Sequence, residues 1–190
     1  MFVNPATGLL EVARQRLSPN SDDRPVGVAA DLIVIHGISL PPGKFGGSWV
    51  DALFMNQLDP SAHPYFAAIA GLRVSAHVLI RRDGELVQYV PFQRRAWHAG
   101  ASVYAGRPRC NDFSIGIELE GTDLIPYDDR QYPVLAAVIR GLWAAYPVIM
   151  PDRLTGHADI APGRKTDPGL AFDWARLRDI LEVRSSTVPD

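Results

Sequence analysis

Ser114-Ile115-Gly116-Ile117-Glu118-Leu119-Glu120 alternates between apolar and polar or small residues along its whole length. A period of two predicts a β-strand, with Ile115, Ile117 and Leu119 on one face and Glu118 and Glu120 on the other. Working outward, Ser75 to Arg81 and Glu85 to Val90 flank Asp83-Gly84, two residue types that tolerate positive φ. That pattern predicts an antiparallel hairpin. Leu32-Ile33-Val34-Ile35 is a buried-strand run that ends at His36. Between the strands, Trp49, Leu53 and Leu58 follow Ser48, a residue suited to cap a helix, and His63-Pro64 introduces a short helical piece over Tyr65 to Ala70. Leu135, Val138, Ile139 and Leu142 recur at spacings of three and four, predicting a helix over Tyr132 to Tyr146. A closing helix is expected over Phe172 to Leu181. Ser18 to Val26 and Leu40 to Gly47 read as loops. Strands and helices interleave around a hairpin, so the expected fold is mixed α/β: a central mixed β-sheet flanked by helices.

With 190 residues, 47% of them hydrophobic, the chain can bury one core, and a single domain over 1–190 is expected. A net charge of −2 and a pI near 6.2 offer no general attraction to nucleic acid or to anionic membranes. Met1 to Arg16 lacks a charged start followed by an apolar stretch, and no apolar run approaches the roughly 20 residues of a membrane span. The one cysteine, Cys110, cannot form an intrachain disulfide. A cytoplasmic protein with a small-molecule substrate and no obligate protein partner is the expectation.

The candidate chemistry lies in the histidines. His36 closes its strand, and His157 opens a Gly- and Pro-rich segment running to Asp167-Pro168-Gly169. Two imidazoles with the Asp167 carboxylate would make a zinc site that leaves one coordination position open for water, as a hydrolase requires. Each has an ordinary alternative. A histidine at a strand end is commonly a hydrogen-bonded structural residue, and Asp167 before a proline can simply organise a turn. Asp159 is a rival carboxylate, His63, His77 and His98 are rival imidazoles, and spacing does not choose among them. No HExxH helix and no GxSxG nucleophile elbow is present.

Several segments taken together go further. Val34-Ile35-His36, Ile38-Ser39-Leu40-Pro41-Pro42-Gly43, Ser75-Ala76-His77, Arg95-Ala96-Trp97-His98-Ala99-Gly100, Cys110-Asn111-Asp112-Phe113 continuing through Glu120-Gly121, and Arg164-Lys165-Thr166-Asp167-Pro168-Gly169 occur in that order. In this the chain resembles the AmpD-type 1,6-anhydro-N-acetylmuramyl-L-alanine amidases. These are cytoplasmic zinc enzymes of cell-wall recycling within the type 2 N-acetylmuramoyl-L-alanine amidase family, related to peptidoglycan recognition proteins. The likeness runs over about residues 8–182.

The resemblance implies the amidase and peptidoglycan-recognition-protein-like fold, with Zn2+ held by His36, His157 and Asp167. It makes Glu118 and Lys165 the catalytic pair and brings His77 and His98 to the pocket or just behind it. It also implies hydrolysis of the amide between the lactyl group of (anhydro-)N-acetylmuramic acid and L-alanine, and hence a bearing on β-lactamase induction. Two positions depart from the family: Gly37 stands where Asn is common, and Ala158 where Cys is common. Gly37 removes an amide that could contact the ligand or support His36.

The residues fit that chemistry. A strand holds Glu118 rigidly for proton transfer, and Lys165 can stabilise an oxyanion. Arg73 and Arg109 are the cations expected to take the peptide carboxylates, and Trp97 offers a flat face to the sugar. Two other readings are a zinc-free peptidoglycan-binding module and a zinc peptidase acting on stem peptides.

Overall fold

The computed structural model describes residues 1–182, so the last eight residues of the expected 1–190 domain lie outside the described residues. Six strands form the main sheet: β1 (Arg14–Gln15), β2 (Leu32–Ile38), β3 (Val78–Ile80), β4 (Leu86–Gln88), β5 (Ser114–Glu120) and β6 (Leu154–Gly156). Their order across the sheet is β6-β2-β5-β3-β4-β1. β6, β2, β5 and β3 run parallel, β4 is antiparallel to β3, and β1 pairs in parallel with β4. The helices are α1 (Trp49–Phe54), α2 (Pro64–Ile69), α3 (Gln131–Ala145), α4 (His157–Ile160) and α5 (Trp174–Glu182). A mixed sheet flanked by helices is the architecture expected, and among the described residues no helix is long and apolar enough to cross a membrane.

The strand alternation decides the layers. Ile33 and Ile35 of β2 and Ile115, Ile117 and Leu119 of β5 join Leu135, Val138, Ile139 and Leu142 of α3 and Leu177 and Leu181 of α5 in one core cluster. Each such buried side chain contributes roughly 1.5–3 kcal/mol, and the predicted helical stripe is the surface that supplies it. The opposite face of the sheet carries two smaller clusters. One packs α1 and α2 through Val50, Phe54 and Phe66 onto Leu79, Val87 and Tyr89. The other packs Cys110, Phe113 and Ile160 onto Leu32 and Val34.

Several local expectations are corrected. β5 is buried on both faces, where its alternation alone marks only one apolar face, so Glu118 and Glu120 lie inside the fold. β2 continues two residues beyond His36, to Ile38. In the hairpin only Gly84 takes positive φ, at +89°. Gly84 N–H donates to the Arg81 carbonyl at 2.9 Å, and Arg81 N–H donates to Glu85 at 2.9 Å. The turn therefore centres on Arg82-Asp83 and closes with a left-handed glycine, the longer of the common hairpin connections. The paired strands are correspondingly shorter than the apolar runs. α1 ends before Leu58, and Ser48 makes no side-chain capping bond. His63 caps instead: its Nδ1 accepts from Tyr65 N–H at 3.1 Å. Within the expected 18–26 loop, Ser21–Asp22 pairs with Arg95–Ala96.

Candidate active site

His36 lies near the C-terminal end of β2, and the parallel register sets Glu118 of β5 directly beside it. β6 flanks β2 on its other side and ends at Gly156, so His157, the first residue of α4, emerges next to the same strand end. It sits on a helix start, where a loop was expected. Asp167 returns on the segment after α4. Its carbonyl accepts from Ala158 N–H at 2.8 Å, and the next carbonyl, of Pro168, accepts from the Tyr127 hydroxyl at 2.9 Å. Three distant stretches thus meet at the C-terminal ends of parallel strands, where open α/β sheets place their ligands.

The Nδ1 atoms of His36 and His157 lie 2.9 Å apart, and Oδ2 of Asp167 lies 3.2 Å from the first and 3.1 Å from the second. All three donors fall within 4.8 Å of one another. Ligands held about 2.0–2.1 Å from a tetrahedral zinc are separated by about 3.3 Å, so the observed spacing and the N, N, O donor set both fit that ion.

Electrostatics agree with this geometry. Burial lowers the His36 imidazole to about 4, against the opposing influence of the adjacent Asp167 carboxylate. A neutral ring keeps a lone pair for a metal. Burial tends to raise the Asp167 carboxyl, but the two imidazoles set against it, His157 and His36, outweigh that and hold it below the usual carboxylate range. Glu118 is the reverse. Burial, reinforced by the charge of Asp167 and opposed by Lys165, raises it well above the usual range. Its Oε1 lies 4.0 Å from His36 Nδ1, and its Oε2 is buried without a hydrogen-bond partner among the described residues.

These groups open onto a cavity of about 840 Å³. Exposed Lys165, half-buried Trp97, His98 and the backbone of Gly37 line it, together with Tyr65, Asp123 and Arg164. Arg73 and Arg109 do not line it. Arg73 is exposed, with its chain neighbours Leu72 and Val74 in the wall, and Arg109 pairs with Asp112 at 3.1 Å, leaving its side chain 70% exposed. His77 is fully buried behind the wall. Its Nδ1 accepts from Gly116 N–H at 3.0 Å, its Nε2 lies 3.1 Å from the Arg94 carbonyl, and burial followed by the Arg24 charge lowers it to about 3. Gly37 also reads differently. A Cβ there would meet the Tyr127 hydroxyl on the helix-covered side of the sheet, so a side chain at this position would not reach a ligand from the cavity side.

The rivals are accounted for. The Asp159 carboxylate accepts from Gly156 N–H at 2.9 Å and from the Thr155 hydroxyl at 3.0 Å, so it caps α4. His63 caps α2. Residues left without a role by the sequence reading are Tyr65, Asn111, Ser114 and Arg164. Only the fold brings them to the site, and each resembles an ordinary helix, loop, turn or strand residue in sequence.

Comparison with known proteins adds an independent finding. Residues 24–170 match the N-acetylmuramoyl-L-alanine amidase family. The 1,6-anhydro-N-acetylmuramyl-L-alanine amidase AmpD of Escherichia coli (strain K12) is 66% identical over 179 residues, covering 94% of this chain and 97% of that protein. A crystal structure of a selenomethionine AmpD derivative superposes with a TM-score of 0.92 at 61% identity, over 95% of this chain and 99% of that one. The amidase AmiD from E. coli, solved with anhydro-N-acetylmuramic acid-L-Ala-D-gamma-Glu-L-Lys, is 29% identical with a TM-score of 0.58, over 90% of this chain and 60% of that one.

Proposed function

The chain belongs to the N-acetylmuramoyl-L-alanine amidase family as an AmpD-type member, and from this we propose that it is a zinc-dependent amidase. It hydrolyses the amide between the lactyl group of 1,6-anhydro-N-acetylmuramic acid and the L-alanine of the stem peptide. The observation that carries this reading is the convergence of His36, His157 and Asp167 beside a buried carboxyl, Glu118, with an unused oxygen. AmpD relatives act on the anhydro-muramyl amide, as their name states, and AmiD was solved with an anhydro-muropeptide.

His36, His157 and Asp167 would hold the ion. Zinc, when bound, supplies Lewis acidity toward the attacking water and the amide carbonyl. Glu118 takes the proton of that water and returns it to the departing amine of L-alanine. Its raised pKa suits both halves of the task, because a general acid–base works best near the operating pH. Lys165 offers its ammonium to the oxyanion formed on the carbonyl, and Trp97 gives the sugar an apolar wall. A metal-free binding module is disfavoured, since His36, His157 and Asp167 are all retained and bring their ligand atoms within 4.8 Å of one another. We assign the activity to cytoplasmic recycling of muropeptides, with which the lone cysteine is compatible.

The test is mass spectrometry of the products from a defined anhydro-muropeptide, with and without a zinc chelator. Free stem peptide and anhydro-N-acetylmuramic acid should form, and chelation should stop them. Cleavage within the peptide, or undiminished turnover after the metal is removed, would overturn the assignment.

A further inference from the structure

Behind the two histidine ligands lies a short chain of hydrogen bonds whose polarity is determined by the groups at its ends. The Ser114 hydroxyl lies 2.6 Å from the Cys110 carbonyl, which can only accept, so its one proton goes there. Ser114 Oγ must then accept from His98 Nε2–H, 3.2 Å away. His98 Nδ1 is left as an acceptor, and it lies 2.9 Å from His36 Nε2. His36 therefore carries its proton on Nε2 and keeps the Nδ1 lone pair for the cluster. His157 reaches the same state by a shorter route. Its Nε2 lies 3.2 Å from the Ala99 carbonyl and must donate to it, which leaves Nδ1 free.

The two backing partners, the His98 ring and the Ala99 carbonyl, come from adjacent residues. One side chain holds both: Asn111 Oδ1 accepts from His98 N–H at 3.0 Å and from Ala99 N–H at 2.8 Å. Gly116 makes room for the arrangement, because a Cβ on β5 at that point would overlap the His98 ring.

We propose that His98-Ala99, clamped by Asn111, is a positioning unit that sets the tautomer of both histidine ligands and so tunes the affinity of the site for its divalent ion. This rests on the metal-site reading above and assigns His98 and Asn111 to metal binding, where the sequence reading put His98 in the pocket or just behind it and gave Asn111 no role. Partners of this kind are worth about 10–100-fold in metal affinity.

The experiment is zinc competition against a chromophoric chelator, together with nitrogen-15 NMR of the histidine tautomers in the metal-free protein. His98→Leu removes one partner and should weaken zinc binding by about tenfold or more. Asn111→Leu releases both and should weaken it further. Asn111→Asp keeps an oxygen for the two N–H groups and should restore most of the affinity, which a loss of packing alone does not predict. In the unaltered protein both His36 and His157 should show Nε2–H. Protonation of either on Nδ1 would overturn the proposal even if a variant failed to fold. So would folded His98→Leu protein binding zinc within about twofold of the parent. Failure of the parent to bind zinc at all would instead sink the metal-site reading, and the tautomers would still be read separately.

Discussion

Glu118 and Glu120 stand two residues apart on the same face of one strand, and the two ends of that short interval are chemically opposite. Around Glu120 everything is paired. Oε1 accepts from Arg81 at 3.0 Å and from Gly46 N–H at 2.9 Å, and Oε2 accepts from Arg82 N–H at 3.2 Å. Arg81 is in turn shared with Asp51 and Glu85. This carboxylate ties the loop that rims the cavity to the sheet. Glu118 is also buried, but it has a neutral imidazole at 4.0 Å and an oxygen with no partner among the described residues. A carboxyl whose electron pairs are all used is structural, whereas one buried with capacity to spare can carry a proton. Strand, face and residue type are the same, so the difference comes wholly from what lies across the fold.

Breaking the reactive end should have the largest effect. Glu118→Gln keeps the shape and the zinc site but should lower kcat by roughly 10²–10⁴-fold, with zinc stoichiometry unchanged by metal analysis. A parental rate in this variant removes Glu118 from proton transfer. Breaking the structural end should be read in stability. Glu120→Leu leaves a buried arginine short of a partner, which costs about 3 kcal/mol, the lower end of the range for such losses because Asp51 and Glu85 still neutralise Arg81. Urea unfolding measures it. Where the variant folds, kcat should move far less than in Glu118→Gln, and equal losses in both would erase the contrast.

The smallest and sharpest test uses pH on the metal-free protein. Glu118 has a folded pKa above its unfolded value, near 4.3, so ionisation costs stability. The cost is absent below that value and grows as pH rises toward the folded pKa. Glu118→Gln should therefore match the parent near pH 4 and exceed its unfolding free energy by a margin that widens as pH rises to 7.5. His77 contributes the opposite slope. Its folded pKa of about 3 lies below the unfolded value near 6.5, so its stability is present above 6.5 and lost as pH falls from there toward 3. The Glu118→Gln advantage should stand on top of this common acid loss, and an advantage independent of pH would mean that ionisation is not its cause.

Much of the fold was legible in the chain. The alternation in 114–120, the apolar run before His36 and the stripe on α3 identify elements by periodicity, because burial on one face imposes a period. Element ends were less legible: the hairpin strands shortened and β2 ran past His36, since pairing partners decide where a strand stops. Of the site, the residue types His36, His157, Asp167, Glu118 and Lys165 could be named from the family motifs. Arg73 and Arg109 could not be placed correctly relative to the cavity, and for His77 the choice between the pocket and the layer behind it stayed open until the fold put it behind the wall. An arginine beside a cavity and one facing solvent have the same local sequence, and His77 differs from His98 only in which side of the wall its ring occupies.

Periodicity alone, then, told which residues turn inward and that a sheet must be covered by helices, because hydrophobic burial is a local pattern written at fixed spacing. It could not tell which inward side chains become neighbours. The parallel register that seats Glu118 against His36, the arrival of His157 and Asp167 from far along the chain, and the bonds that use up Glu120 while sparing Glu118 are contacts between distant segments. Such contacts exist only once the strands have chosen their order, and that choice belongs to the packed structure as a whole.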